Sequence, residues 1–137
     1  MPTIEEIQPG QTASWKRTVT DDDIRRFAAL SGDDNPVHLD EAFAATTRFK
    51  GRIAHGMLAA SFISTVVGTK LPGYGCIYIS QNLRFRAPVR IGDTVETTAT
   101  VAEVDREKKR VRMETVCKVG DTVVVDGEAT LLVPSKG

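Results

Sequence analysis

Histidine is the side chain that changes charge near neutral pH, and this 137-residue chain carries two, His38 and His55. His38 follows Asp33 by five positions in the run Asp33-Asp34-Asn35-Pro36-Val37-His38. A carboxylate and an imidazole close together can hold one water between a proton acceptor and a proton donor. The same residues also build a good turn, because Asp and Asn bond their own backbone and Pro36 keeps Asn35 out of helical geometry. Spacing alone leaves both readings open. The second constellation is His55-Gly56, directly before the apolar run Met57 to Val67. A helix N-terminus there presents unpaired N–H groups and a positive partial charge, and a residue without Cβ lets a carbonyl approach the backbone. Together they could form an oxyanion hole. The plainer alternative is that Gly56 allows close helix packing and His55 caps the helix.

The elements that must position these groups follow from pattern and punctuation. Ser14 to Val19 reads as a short strand. Thr20 and Asp23 have capping-box spacing, three aspartates sit where a helix dipole favours negative charge, and Gly32 is a stop signal. That predicts a first helix between Thr20 and Gly32, with an ordered loop from Asp33 to His38. Asp40 caps a short helix through about Phe49. Met57 to Val67 is apolar nearly all the way round, so it reads as a buried helix. After Pro72-Gly73 the period becomes twofold: Ile77 to Arg86, Val95 to Val101, Val111 to Val119 and Val123 to Val133 read as four consecutive antiparallel strands. Their apolar face needs a cover, and the apolar helix is the candidate. The expected fold is α+β, one domain over residues 1–137, a curled antiparallel sheet wrapped around one helix.

Composition narrows the partners. The 18 basic and 18 acidic side chains cancel, which removes the electrostatic footprint of a nucleic-acid or anionic-membrane binder. A small-molecule partner is expected instead. Cys76 and Cys117 lie far from any metal-ligand spacing, and the chain's start has neither the basic nor the apolar region of a secretory signal. The apolar run is about half the ~20 residues that span a bilayer. A soluble protein in a reduced, cytoplasmic setting is expected.

Taken together, Phe27-Ala-Ala-Leu-Ser-Gly-Asp-Asp-Asn-Pro-Val-His-Leu-Asp40, the stretch Phe49 to Met57 ending His-Gly-Met, and Gln81-Asn-Leu-Arg-Phe-Arg-Ala-Pro-Val89 followed by Ile91-Gly92-Asp93 closely resemble the MaoC-like, R-specific enoyl-CoA hydratases, or hydratase 2. The resemblance spans about Val19 to Val133 and keeps motif order and spacing. It implies a hot-dog fold, a homodimer or higher homo-oligomer, and an acyl-CoA tunnel at or near the subunit interface. By that pattern Asp33 and His38 are the acid/base pair, Asn35 is a supporting residue of the same loop, and Gly56 is the N–H donor to the thioester oxygen. Ser64 matches a family serine on the central helix; its plainer role is a buried hydroxyl bonded to its own helix. Arg84 and Arg86 are candidates for the coenzyme A phosphates, although charges at alternate strand positions also describe a solvated face. Asp34 could compete with Asp33, and His55 reads as structural.

The implied reaction adds water across a trans-2-enoyl thioester to give an (R)-3-hydroxyacyl-CoA. It needs two proton-transfer groups and one oxyanion donor, and no metal or redox cofactor is expected. A hot-dog acyl-CoA thioesterase would direct water at the carbonyl carbon instead, and the Asp33/His38 pair argues against it. A non-catalytic acyl-binding domain remains an alternative, since fold alone does not carry activity. Dehydration on acyl carrier protein is the same chemistry on another carrier.

Overall fold

The computed structural model describes residues 2–136. A turn of 3-10 helix at Ile4–Glu6 leads into strand β1, Thr12–Thr18. Helix α1, Asp21–Ser31, begins with the expected reciprocal cap: Thr20 Oγ1 accepts from Asp23 N–H, and the Asp23 carboxylate accepts from Thr20 N–H. It ends at Gly32, whose φ of 80° is the left-handed conformation in which glycine costs least. The next segment departs from the expected loop. Pro36–Leu39 forms a one-turn helix, α2, with Asn35 as its N-cap. Pro36 does keep Asn35 out of helical geometry, but it also supplies the fixed φ of a first helical residue, so it starts a helix where its breaking role alone predicts none. Asp40 caps α3 as expected, through Phe43 N–H, although α3 covers Glu41–Ala45 and stops short of Phe49.

Helix α4, Gly56–Thr69, lies against a six-stranded antiparallel sheet. Its strands are β1, β2 (Ile77–Gln81), β3 (Arg84–Phe85), β4 (Thr94–Asp105), β5 (Arg110–Val119) and β6 (Thr122–Leu132). The order is β1-β4-β5-β6-β2, with β3 also paired to β6. The last three strands are the expected meander. The strand expected over Ile77 to Arg86 is instead split into β2 and β3, and neither pairs with β4; the chain leaves α4 and lands on the far side of β6. Alternation sets the face toward the helix: Val95, Thr97, Ala99 and Val101 on β4, and Val111, Met113, Thr115 and Cys117 on β5, are buried. They meet Leu58, Ala59, Phe62, Ile63, Val66 and Val67 of α4. Full burial of one such aliphatic side chain stabilises the fold by roughly 1.5–3 kcal/mol.

Two surfaces differ from expectation. Helix α4 is not enclosed, because one sheet covers one side of it; Met57, Ser61 and Ser64, at helical spacing, form an exposed stripe. Strand β2 is exposed as well, with Ile77 at 57% and Ile79 at 45% of full accessibility. Alternation shows which residues share a face but not whether anything lies against it. No helix among the described residues is long and apolar enough to cross a membrane.

Candidate active site

The turn after α1 is a chain of short-range bonds that fixes Asp33. Ser31 Oγ accepts from Asp33 N–H at 3.2 Å, Asp33 Oδ1 accepts from Asn35 N–H at 3.3 Å, and Asn35 Oδ1 accepts from Val37 N–H at 3.1 Å. The turn reading therefore holds, and the bonds that make the turn also fix the position of the Asp33 carboxylate. His38 is then carried on α2 and is 8% exposed. Its Nδ1 lies 2.8 Å from the Ile53 carbonyl. A carbonyl can only accept, so Nδ1 bears the proton and Nε2 of the neutral ring is free to take one. Arg52 Nε–H donates to the His38 carbonyl at 2.7 Å, while its other end pairs with Asp21 at 2.6 Å. The peptide and the ring of His38 are thus both held.

The Asp33 carboxylate and ring nitrogens of His38 and His55 all lie within 4.8 Å of one another. The sequence predicted the first two as a pair; the structure adds the third. Burial holds the His38 imidazole below the ordinary histidine value of 6.5. The bond to Ile53 opposes this, the neighbouring His55 reinforces it, and the Asp33 charge opposes it more weakly. His38 is therefore a neutral base at pH 7. Three such ligating groups could in principle hold a cation, but the His38 and His55 rings are stacked with centroids 3.8 Å apart and 26° between planes. In-plane lone pairs on stacked rings run side by side and do not converge on one ion, so the arrangement suits a water held against one carboxylate and one imidazole.

Gly56 is the first residue of α4, so its N–H has no partner within the helix. It lines a pocket of about 520 Å³ formed with, among others, His55, Met57, Phe85, Arg48, Arg86 and Val125. A Cβ on Gly56 would come within 2.6 Å of the Phe85 ring, so the glycine lets that ring lie against the helix start. Asp33 and His38 do not line this pocket; His55 does, and it also touches both of them.

The other predicted residues scatter. Asn35 belongs to the site through its capping bond. Ser64 lies eight residues beyond Gly56, about 12 Å along the helix. It is exposed rather than buried, and it forms no side-chain hydrogen bond among the described residues, so the plainer expectation of a hydroxyl bonded to its own helix does not hold. Arg86 lines the pocket and is paired with Asp126 at 2.7 Å; Arg84 is exposed on β3 and does not line it. Sequence reasoning missed Arg48 at the pocket, Arg52 behind His38 and the contact of His55 with both Asp33 and His38. Arg52 sits in a Lys-Gly-Arg run that reads only as a break; its partners are 31 and 14 residues away.

A curled antiparallel sheet on one long helix, with a carboxylate–imidazole pair beside that helix's N-terminus, is the hot-dog arrangement of the MaoC-like hydro-lyases. Residues 4–125 match the MaoC like domain, and the chain belongs to that family. It is 56% identical to the "(R)-specific enoyl-CoA hydratase" of Rhodospirillum rubrum, over 98% of this chain and 93% of that one. It is 52% identical to the "3-hydroxybutyryl-CoA dehydratase" of Methylorubrum extorquens, over 97% and 85%. The solved (R)-hydratase of Aeromonas caviae superposes with a TM-score of 0.92 at 40% identity, covering 95% of this chain and 99% of that one.

Proposed function

We propose that this protein is a hydro-lyase that adds water to trans-2-enoyl-CoA to give (R)-3-hydroxyacyl-CoA and catalyses the reverse dehydration. The observation that carries the reading is the convergence of Asp33 and His38, with a free Nε2 on His38, against His55, the residue that precedes Gly56, whose N–H has no partner within α4. In hydration, Asp33 and His38 grip one water. Its oxygen bonds to Cβ as one of the pair takes its proton, electron density shifts through Cα to the thioester oxygen, and the Gly56 N–H stabilises that charge. Protonation at Cα completes the product and leaves the thioester intact. Removing a donor to such an oxyanion commonly costs about 10²–10³-fold in rate. The reaction calls for no metal or redox cofactor.

The coenzyme A portion is assigned to the mouth of the Gly56 pocket, where Arg86 and Arg48 supply positive charge; Arg84, on β3, is a weaker candidate. Coenzyme A as the carrier is supported by the relatives named for coenzyme A substrates at 56% and 52% identity. The relatives named for acyl carrier protein stand at 34% and 36%. We assign a homodimer: a second copy would cover the edge strand β2, whose unpaired backbone is otherwise a liability, together with the Met57, Ser61 and Ser64 stripe. Ser64 would then face the tunnel between subunits. The two unpaired cysteines, Cys76 and Cys117, suit a reducing cytoplasm.

Crotonyl-CoA tests the reaction. Loss of the conjugated enoyl absorbance without release of thiol supports the hydratase; stoichiometric free thiol replaces it with a thioesterase, and no change in either leaves a binding domain. The same assay on crotonyl-acyl carrier protein decides the carrier.

A further inference from the structure

His55 is 2% exposed and makes three contacts. Its ring lies between Phe27 of α1, centroids 4.8 Å apart, and His38 of α2 at 3.8 Å. Its Nε2 is 2.9 Å from the backbone carbonyl of Asp33, so Nε2–H is the donor and Nδ1 carries the bare lone pair. That Nδ1 is the one buried side-chain nitrogen or oxygen without a hydrogen-bond partner among the described residues. An unsatisfied buried nitrogen disfavours folding, and an apolar ring would fill the same space without that cost. What the imidazole adds over such a ring is the bond to Asp33.

His55 is also close along the backbone to both other parts of the site. Two residues before it, the Ile53 carbonyl fixes the His38 ring; one residue after it, Gly56 begins α4. We propose that His55 is a positioning residue that sets the distance and orientation of the Asp33/His38 pair relative to the Gly56 N–H. The four residues from Ile53 to Gly56 then act as one ruler, with Ile53 placing the base, His55 placing the carboxylate loop and Gly56 placing the oxyanion donor. The inference rests on the hydratase reading above. The ionisable groups facing the His38 ring are Asp33 and His55, while Arg52 reaches only its carbonyl.

Two variants separate the donor from the ring. His55→Phe keeps an aromatic face for Phe27 and His38 but removes the N–H; His55→Gln keeps an amide N–H at similar reach. A reacting group displaced by about 1 Å loses on the order of 10²-fold. His55→Phe is therefore expected to lower kcat on crotonyl-CoA by about 10- to 100-fold with KM changed by less than about 3-fold, and His55→Gln to recover much of that loss. The acid limb of kcat/KM should persist in His55→Phe, because His38 is still present and still titrates. A wild-type kcat in His55→Phe overturns the proposal, as does disappearance of the acid limb, which would make His55 itself the base. Nitrogen-15 NMR of the unaltered protein tests it without any variant: His55 should be the Nε2–H tautomer and His38 the Nδ1–H tautomer, and an Nδ1–H His55 overturns it. Asp33→Asn and His38→Gln are the controls. If the unaltered protein does not hydrate crotonyl-CoA the hydratase reading fails; if both controls stay active the Asp33/His38 pairing fails, and if both are inactive while His55→Phe is normal, the positioning role alone fails.

Discussion

At the scale of residues, the site is a division of labour among groups that differ in exposure. Asp33 is open to solvent while His38 is buried and held neutral at pH 7. Asp33→Asn and His38→Gln should each lower kcat by at least about 10²-fold with an unchanged melting temperature; near-normal turnover in a folded variant removes that residue. Because the folded His38 value lies below 6.5, the ring stays neutral as pH falls through 6.5 and charges only at its lower value. The acid limb of kcat/KM should therefore lie below 6.5. The stability that the neutral ring allows is likewise full above 6.5 and falls as pH drops toward that lower value. Gly56→Ala pushes a methyl into the Phe85 ring, which is 54% exposed and can swing away. Its effect should appear in kcat/KM rather than in stability, and unchanged activity would count against the oxyanion role. The closeness of Asp33 to His38 and the helix start at Gly56 were legible in the sequence because both are set by local spacing. His55 was underrated because its role consists of contacts with residues 17 and 22 positions away, which no local pattern encodes.

At the scale of elements, α1 holds the acid end of the site in place through both termini. Its capping box fixes the start, Gly32 turns the chain into Asp33, and Asp21 in its first turn carries Arg52 to the His38 peptide. Thr20→Ala should cost about 1 kcal/mol of stability, seen in denaturant titration, with kcat nearly unchanged because Asp33 is fixed from Ser31 onward. The Asp23 carboxyl is held below its ordinary value by Arg17. Its contribution is therefore complete above 3.8 and disappears as pH falls through the lower folded value. Capping signals and β-strand periodicity were readable because helix ends and alternation are set by neighbours in sequence. The one-turn helix at Pro36 was not, since the same proline both breaks and starts helices. The placement of β2 beyond β6 depends on how α4 crosses the sheet, and the two-residue period is the same on either side of it.

At the scale of the whole molecule, the edge strand β2 and the Met57, Ser61, Ser64 stripe lie open in one chain and invite a second copy. Light scattering at micromolar concentration should find at least a dimer, and Ile79→Lys on β2 should shift it toward monomer with loss of activity; a fully active monomer contradicts an interfacial tunnel. Sequence supplied the sheet-on-helix plan but not these surfaces, because exposure is a property of what covers a face. The central claim is that one short segment, the turn at Asp33 and the one-turn helix α2 that carries His38, delivers water and proton to an enoyl thioester from one side. The direct measurement is chiral analysis of the product formed from crotonyl-CoA in deuterated water. The account predicts (R)-3-hydroxybutyryl-CoA with deuterium added syn at Cα and the thioester intact. An S product or anti addition would contradict it.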